Sequence, residues 1–272
     1  MSNIVLRSIS GLVFITIVIG SILLSGEFLN VCLEFFSIVA LYEYAKLSNQ
    51  REKVISIPFF MISGILIYFL FTTEYVFANK NLQFGVLLFI LIVNWIAELW
   101  RNRADNFRAI GISTLGLIYC TLPFVAMYQI HFYNGNFGGI YVLLYCFILV
   151  WTNDTFAYLS GRFFGKHKLF ERISPKKTWE GTIGGLIFTA AMVFVLNIFT
   201  PLDLVFWLVA SQIIAVSAIL GDLFESLLKR NAGIKDSGNL IPGHGGVLDR
   251  FDAMLFAAPI FLFLLTIYLE VL

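Results

Sequence analysis

Nine apolar stretches of about twenty residues each restrict the possible folds of this chain more than any other feature of its sequence. They lie roughly at residues 4–25, 28–47, 54–73, 82–100, 109–131, 138–160, 181–200, 203–228 and 251–271. A helix of about 20 mostly apolar residues crosses the hydrocarbon core of a bilayer, and it satisfies its own backbone hydrogen bonds there. The sequence therefore predicts an all-α polytopic membrane protein with about nine transmembrane helices.

The residue composition argues against a soluble protein. Hydrophobic residues make up 59% of the 272 residues and charged residues 13%, whereas soluble domains carry about 25% charged residues. The net charge of +1 points to no particular partner, and we expect no nucleic-acid partner. The three cysteines, Cys32, Cys120 and Cys146, all lie in apolar stretches. They are interpreted as small apolar side chains, not as a disulfide framework or a zinc site.

The first apolar stretch is predicted to be an uncleaved span, not a signal peptide, because a second apolar stretch follows almost at once. The sequence contains no convincing internal repeat and no low-complexity tract. The simplest organisation is a single membrane domain over residues 1–272, with its polar motifs concentrated in residues 151–272.

Lysine and arginine residues are distributed unevenly between the predicted loops. Sixteen of the eighteen lie in the connections that follow spans two, four, six and eight. Short loops rich in Lys and Arg stay on the cytoplasmic side of a membrane. The N-terminus and the two long polar loops, 161–180 and 229–250, are therefore predicted to be cytoplasmic, and the C-terminus is predicted to be outside.

The region from residue 221 to residue 252, GDLFESLLKRNAGIKDSGNLIPGHGGVLDRFD, concentrates polar chemistry between two apolar stretches. Four of its residues have helical spacing and would share one face of a helix, namely Asp222, Glu225, Ser226 and Lys229. Carboxylates close to a membrane usually mark function, and several together suit a hard cation such as Mg²⁺. Glycines around His244 would let the backbone approach a phosphate closely, and the neighbouring lysines and arginines can neutralise its charge.

The region from residue 151 to residue 185 contains a second group of polar residues. Asp154 lies within or just at the end of the sixth span, and Lys176, Lys177 and Thr178 supply donors suited to a phosphate or triphosphate. Thr178 is equally compatible with an ordinary helix start followed by close-packed glycines. Three other cations are interpreted as membrane-surface charges, namely Lys166, Lys168 and Arg172.

Four isolated polar residues receive simpler interpretations. His131 and His167 are lone histidines for which no function is expected. Glu43 and Glu98 lie in apolar stretches near cytoplasmic helix ends, where carboxylates are unfavourable unless they are partnered. We predict that each of these two glutamates forms a salt bridge.

The segment SLLKRNAGIKDSGNLIPGHGGVLDRFD, residues 226–252, resembles the signature of the phosphatidate cytidylyltransferase (CDP-diacylglycerol synthase) family at every fixed position. The upstream stretch ISPKKTWEGTIGG, residues 173–185, resembles another well-known stretch of that family, as does Asp154 with the residues that follow it. These motifs cover roughly the last 120 residues, and nothing at the level of single residues is carried over to the first 150.

The resemblance implies a step of phospholipid biosynthesis in which CTP and phosphatidate give CDP-diacylglycerol and pyrophosphate with Mg²⁺, with or without a second cation. It implies metal ligands at Asp222, Asp236, Asp249 and Asp252. It implies substrate binding by Lys176, Lys177, Thr178, Ser226, Lys229, Arg230 and Asp154. The candidate catalytic residues are Asp249, Asp236, Lys235, His244 and Arg250. No protein nucleophile is required, because the phosphate of phosphatidate can attack the α-phosphorus of CTP in line.

Two other functions are compatible with the sequence. A related CTP-dependent enzyme that acts on another lipid phosphate or on a polyprenol phosphate would share these motifs. A transporter would also combine many spans with buried carboxylates, although transporters bind substrate near the membrane midplane and the charges here lie at one face. We expect a multi-pass protein of a bacterial inner membrane, surrounded by membrane lipids, with its active site towards the cytoplasm. A homodimer is compatible with the sequence.

Overall fold

The computed structural model describes residues 3–50, 52–73, 80–101, 105–133, 141–199, 202–238, 240, 243 and 245–271. Within these residues the helices are α1 (Asn3–Leu24), α2 (Gly26–Ser48), α3 (Ile57–Thr72), α4 (Lys80–Leu99), α5 (Asn106–Phe132), α6 (Val142–Phe164), α7 (Trp179–Phe199), α8 (Leu204–Ala232), α9 (Leu248–Phe251) and α10 (Met254–Val271). Two short strands, β1 (Lys168–Phe170) and β2 (Ser174–Thr178), lie between α6 and α7.

Each predicted span coincides with a helix, to within about four residues at either end. Six of these helices, α2, α4, α5, α6, α7 and α8, are long and apolar enough to cross a membrane. The apolar parts of α1, α3 and α10 are shorter. The protein is therefore an all-α membrane protein with several membrane-crossing helices, while the count of nine crossings and the sides of the two termini stay predictions.

Large apolar side chains point outward from these helices. Phe69 on α3, Phe84 on α4 and Phe199 at the end of α7 are 60%, 63% and 78% exposed. In water such surfaces would favour aggregation or association. In a bilayer these side chains face hydrocarbon, so their exposure has no comparable cost in free energy. This agrees with the membrane assignment.

Helix α8 shows how the local sequence sets the bounds of a helix. The side chain of Asp203 accepts hydrogen bonds from the backbone N–H groups of Val205 and Phe206, at 3.1 and 3.2 Å, and so caps the first turn. At the other end Gly233 has a positive φ of 75°, and the N–H of Ile234 donates to the carbonyl oxygen of Lys229. Because the helix runs as far as Ala232, both Asp222 and Lys229 lie on its last three turns.

The hairpin of β1 and β2 is an addition to the all-α prediction. The strands are antiparallel, with Lys168 opposite Thr178 and Phe170 opposite Ser174. Their residues show no long alternation of apolar and polar side chains, so the usual sequence signal for a strand is missing. Glu180 supports the hairpin from the first turn of α7, because its carboxylate accepts the backbone N–H groups of Lys166 and His167 at 3.1 and 3.2 Å.

The chain forms two compact units. Unit one consists of residues 1–129 and 236–250, and helix α2 is central to it. Ser37 on α2 donates to the carbonyl oxygen of Cys120 at 2.9 Å, and Tyr44 donates to that of Ile112 at 3.0 Å, so α2 is fixed against α5. The Tyr44 ring also stacks near Phe60 of α3.

Unit two consists of residues 130–235 and 251–272. Its core contains the fully buried side chains of Phe147, Trp207 and Phe261, with the rings of Trp207 and Phe261 5.8 Å apart. The ring of Phe251 lies 6.3 Å from that of Phe147, so the residue just before Asp252 is anchored in this core. The organisation of residues 1–272 as a single domain stays a prediction.

Candidate active site

Helices α6 and α7 lie in close contact in unit two, which brings polar residues of α6 beside the start of α7. A Cβ atom at Gly181 would lie 2.6 Å from the carbonyl oxygen of Ala157, and one at Gly185 would lie 2.5 Å from Oδ1 of Asn153. Both positions therefore need glycine for reasons of space. Asp154 follows Asn153 ten residues before the end of α6, which is about 15 Å along the helix, so it lies well inside α6.

An ion pair joins strand β2 to helix α8. The Nζ atom of Lys177 lies 2.7 Å from Oδ2 of Asp222 and 3.5 Å from the carbonyl oxygen of Ile219. One helical turn after Asp222, the hydroxyl of Ser226 donates to Oδ1 of Asp222 at 3.3 Å. The sequence placed Lys177, Asp222 and Ser226 in the site separately, and the structure brings these three side chains together. Lys177 and Asp222 stay partly exposed, so a ligand can reach both.

Asp252 approaches the same part of α8 from the turn between α9 and α10. A Cβ atom at Gly221 would lie 2.4 Å from the carbonyl oxygen of Asp252, so glycine at 221 allows this turn to pack directly against the helix beside Asp222. Asp252 lies outside the membrane helix α10. Its burial raises its pKa above the ordinary value, and the nearby carboxylates of Asp222 and Asp154 raise that pKa further.

Glu225 and Lys229 form a second ion pair on the same face of α8. Glu225 is buried, and its Oε2 lies 2.5 Å from Nζ of Lys229. The contact between Ser226 and Asp222 and the contact between Lys229 and Glu225 both join residues four apart. The shared helix face that the spacing predicted is therefore confirmed. Arg230 follows and is exposed.

Thr178 has the structural role of a helix start. It is buried, and its hydroxyl accepts a hydrogen bond from the backbone N–H of Gly181 at 3.2 Å, as in a capping residue. One of the two interpretations of Thr178 is thus visible in the structure, and phosphate binding by its hydroxyl stays a prediction. His167 is not isolated, because its Nδ1 lies 2.6 Å from Oε1 of Glu180.

The carboxylates of unit two suit a divalent cation by their chemistry. Among the described residues, no three His, Cys, Asp or Glu side chains are arranged to hold a metal ion by themselves. Mg²⁺ does not require such a cage, since it usually keeps water and binds to one or two carboxylates together with substrate phosphates. Asp222 and Asp252 carry carboxylate oxygens of this type, and their roles as metal ligands stay predictions.

Unit one contains the signature loop, defined here as residues 236–250, and Asp249 organises it. Oδ2 of Asp249 accepts three hydrogen bonds of 2.8 Å, from the backbone N–H and the hydroxyl of Ser237 and from the backbone N–H of Gly246. Gly245 has a positive φ of 83°, and a Cβ atom there would lie 2.5 Å from Oδ2 of Asp249. The carboxylate therefore has one fixed orientation, and its role as a metal ligand stays a prediction.

A second carboxylate of unit one, that of Glu43 on α2, also contacts the signature loop. It is buried, at 4% exposure, and it accepts the backbone N–H groups of Val247 at 3.0 Å and Leu248 at 2.9 Å. The prediction of a salt bridge for Glu43 is replaced by these amide contacts, whereas Glu98 does pair with Arg101 at 2.5 Å. The sequence showed only that the Glu43 carboxylate lies in an apolar stretch, and this pattern does not indicate which groups it contacts.

Three successive backbone N–H groups at the end of the glycine-rich turn are bonded to the protein's own carboxylates. The N–H group of Gly246 is bonded to Asp249, and those of Val247 and Leu248 are bonded to Glu43. Two side chains thus fix this end of the loop through its backbone, and a phosphate cradle formed by the glycines around His244 stays a prediction.

The remaining candidate residues lie at the surface of their own unit or outside the described residues. Lys176, Lys235, Asp236 and Arg250 are exposed. His244 lies outside the residues that the structure describes. For all of these residues the assigned roles stay predictions.

Comparison with known proteins gives consistent results. A sequence profile described as the cytidylyltransferase family matches residues 5–268. The chain is 33% identical to the phosphatidate cytidylyltransferase of Haemophilus influenzae, over 94% of this chain and 96% of that protein. It is 34% identical to the enzyme of that name from Staphylococcus haemolyticus, over 93% and 96% of the two chains. It is 35% identical to the one from Bacillus subtilis, over 85% and 86%.

Proposed function

The chain belongs to the cytidylyltransferase family, and we propose that it is a membrane enzyme that converts CTP and phosphatidate to CDP-diacylglycerol and pyrophosphate. The observation that carries this proposal is the identity of 33–35% with phosphatidate cytidylyltransferases over most of both chains. The ion pair of Lys177 and Asp222 beside Asp252 supports it, because it combines oxygen ligands and a cation of the kind that phosphoryl chemistry needs.

The reaction itself requires positioning and charge neutralisation more than covalent chemistry by the protein. An oxygen of the phosphatidate phosphate attacks the α-phosphorus of CTP, the bond from that phosphorus to the bridging oxygen of the β-phosphate breaks, and pyrophosphate leaves. In this proposal Lys177 binds a phosphate of one substrate and also orients Asp222. Lys229 and Arg230, at the end of α8, would attract the remaining phosphate charge.

Enzymes of this family generally depend on a divalent cation, and we assign Mg²⁺ to Asp222 and Asp252. When bound, Mg²⁺ neutralises phosphate charge and withdraws electrons from phosphorus. Asp154 adds a third carboxyl group close to Asp252, and its proposed role is to increase the affinity of this group for a cation. Ser226 orients the Asp222 carboxylate through its hydrogen bond to Oδ1.

The lysines of β2 provide a direct test of phosphate binding. We expect Lys177→Ala to lower kcat/KM for CTP about a hundredfold, because it removes a charge-assisted contact that strengthens in the transition state. Lys176→Ala should have a smaller effect, since Lys176 is exposed and it is Lys177 that contacts Asp222. Lys168→Ala in the neighbouring strand is the matched control and should retain near-normal kinetics. Normal kinetics for both Lys176→Ala and Lys177→Ala would show that these lysines only determine topology.

The side of the membrane is proposed from the charge distribution. We expect loops 161–180 and 229–250 to face the cytoplasm of a bacterial inner membrane. A single cysteine at the exposed position 168, in a chain with its own cysteines replaced, should react with a membrane-impermeant thiol reagent only after the membrane is opened. A cysteine at the exposed position 80 should react in intact cells. The reverse pattern would contradict this orientation.

The proposed function is tested with purified protein, labelled CTP, phosphatidate and MgCl₂. Labelled CDP-diacylglycerol and an equal amount of pyrophosphate are expected, and chelation of the cation should stop both. A polyprenol phosphate and other lipid phosphates are added as competing acceptors. They distinguish a phosphatidate-specific enzyme from a related CTP-dependent enzyme that acts on another lipid phosphate. Preferred use of another acceptor would overturn the assignment of phosphatidate, and the absence of any CTP consumption would overturn the function.

A further inference from the structure

Glu43 connects the first half of the chain to the signature loop through hydrogen bonds to three residues of that loop. Its Oε1 accepts the N–H of Val247, and its Oε2 accepts the N–H of Leu248 and lies 3.3 Å from the hydroxyl of Ser237. These three partners are separated from Glu43 by about 200 residues of sequence. Hydrogen bonds from backbone N–H groups satisfy the carboxyl oxygens, which would otherwise be buried without partners.

Two glycines of the loop leave space for this carboxylate. A Cβ atom at Gly238 would lie 2.3 Å from Oε1 of Glu43, and one at Gly246 would lie 2.3 and 2.4 Å from its two oxygens. Neither glycine has a positive φ, so neither is required by backbone conformation. Glycine is needed at both positions because the backbone passes so close to the carboxylate of Glu43.

Glu43 also acts on the orientation of Asp249. The hydroxyl of Ser237 is within hydrogen-bond distance of Oδ2 of Asp249 and of Oε2 of Glu43, at 2.8 and 3.3 Å. The same Asp249 oxygen accepts the N–H of Gly246, which directly precedes the two amides bound by Glu43. The two carboxylates therefore fix adjacent parts of one short backbone segment. If the Glu43 side chain moved, this segment would move with it, and the N–H group that Asp249 accepts would change its position.

We propose that Glu43 is a positioning residue of the cytidylyltransferase reaction, which fixes the signature loop from helix α2 and thereby sets the place of Asp249. This inference rests on the proposed function. Helix α2 is itself fixed against α5 by Ser37 and Tyr44, so Glu43 projects from a rigid element. The first half of the chain then contributes to catalysis through this contact in addition to providing membrane helices.

The test compares Glu43→Gln with wild type. Glutamine has nearly the same shape, but its NH₂ group cannot accept one of the two amide hydrogens. We expect kcat to fall on the order of a hundredfold, as for small misplacements of reacting groups, with KM for CTP and phosphatidate changed much less. Hydrogen exchange should become faster in peptides covering residues 237–248 and should stay unchanged in α2 and α5.

Glu34→Gln is the matched control, since it removes a half-buried carboxylate from the same helix without touching the signature loop. Wild-type kcat and wild-type exchange in a folded Glu43→Gln protein would overturn the proposal. The proposal would also be overturned if hydrogen exchange became faster throughout the protein and kcat fell only in proportion to the unfolded fraction. Glu43 would then have a general stabilising role. If the wild-type protein forms no CDP-diacylglycerol, the proposed function fails, while the exchange comparison still tests whether Glu43 fixes the loop.

Gly246→Ala provides a second route if Glu43→Gln does not fold. The added methyl group should displace the Glu43 carboxylate and give the same local increase in exchange and the same loss of kcat. In the double variant the losses should be clearly less than multiplicative, because both changes break the same contact. Fully multiplicative losses would overturn the proposal.

Discussion

Replacing Asp222 with asparagine should lower kcat about a thousandfold while the protein stays folded. The asparagine side chain would still accept from Ser226, but it lacks the charge that binds a divalent cation. Such a cation contributes several kcal/mol to the transition state, and about 4 kcal/mol corresponds to a thousandfold. The ion pair with Lys177 is partly exposed, and such pairs contribute at most about 1 kcal/mol to stability. The measurements are initial rates across a range of MgCl₂ concentrations, and thermal unfolding in detergent.

Asp203→Asn is the matched control for Asp222→Asn. It removes the same charge just before the same helix, where asparagine caps α8 about as well as aspartate. We expect near-normal turnover for Asp203→Asn. The expected loss leaves about a thousandth of wild-type kcat. If a folded Asp222→Asn protein keeps more than about a tenth of wild-type kcat at ordinary Mg²⁺ concentration, Asp222 is not part of the proposed cation site.

The helices were predictable because each depends on a local property. About twenty apolar residues specify a membrane helix without reference to the rest of the chain, and the predicted spans match the observed helices closely. The helical spacing of Asp222, Ser226 and Lys229 likewise specified contacts that the structure contains. The hairpin of β1 and β2 was missed because its strands have three and five residues, too few for a periodic pattern to appear.

The contacts within the candidate site were less predictable because they join distant parts of the sequence. Nothing around Lys177 indicates that Asp222 is its partner, and nothing around Glu43 indicates that it accepts amides of Val247 and Leu248. The hydrogen bonds at the end of the glycine-rich turn were not predictable for the same reason. Its sequence is compatible with a bound phosphate, and the Glu43 carboxylate that binds the next two amides, of Val247 and Leu248, comes from a distant part of the sequence.

Thr178 illustrates a choice that the sequence left open. A threonine before a glycine-containing helix can bind a phosphate or cap the helix, and the same hydroxyl and backbone amides serve either purpose. The structure shows the capping contact to Gly181. Lys177, immediately before it, is oriented by the same strand and forms the charged contact to Asp222.

Asp249→Asn is the second substitution for which we expect a large loss of turnover, about a thousandfold, by the same charge argument as for Asp222. Oδ2 of Asp249 accepts three hydrogen bonds in the signature loop, and the amide oxygen of asparagine can accept the same three. The loop should therefore keep its conformation. Hydrogen exchange of residues 237–248 should match wild type in Asp249→Asn and increase in Asp249→Ala, which loses all three acceptor bonds.

The pair of variants separates a charge role of Asp249 from a purely organising role. If the negative charge binds a cation, both variants lose turnover, and raised MgCl₂ restores part of the activity of Asp249→Asn only. If Asp249 only organises the loop, Asp249→Asn keeps most of its turnover and Asp249→Ala loses it together with the exchange protection. Near-normal turnover in a folded Asp249→Asn protein would thus remove the metal-ligand prediction, and the hydrogen bonds to Ser237 and Gly246 would be the whole function of this carboxylate.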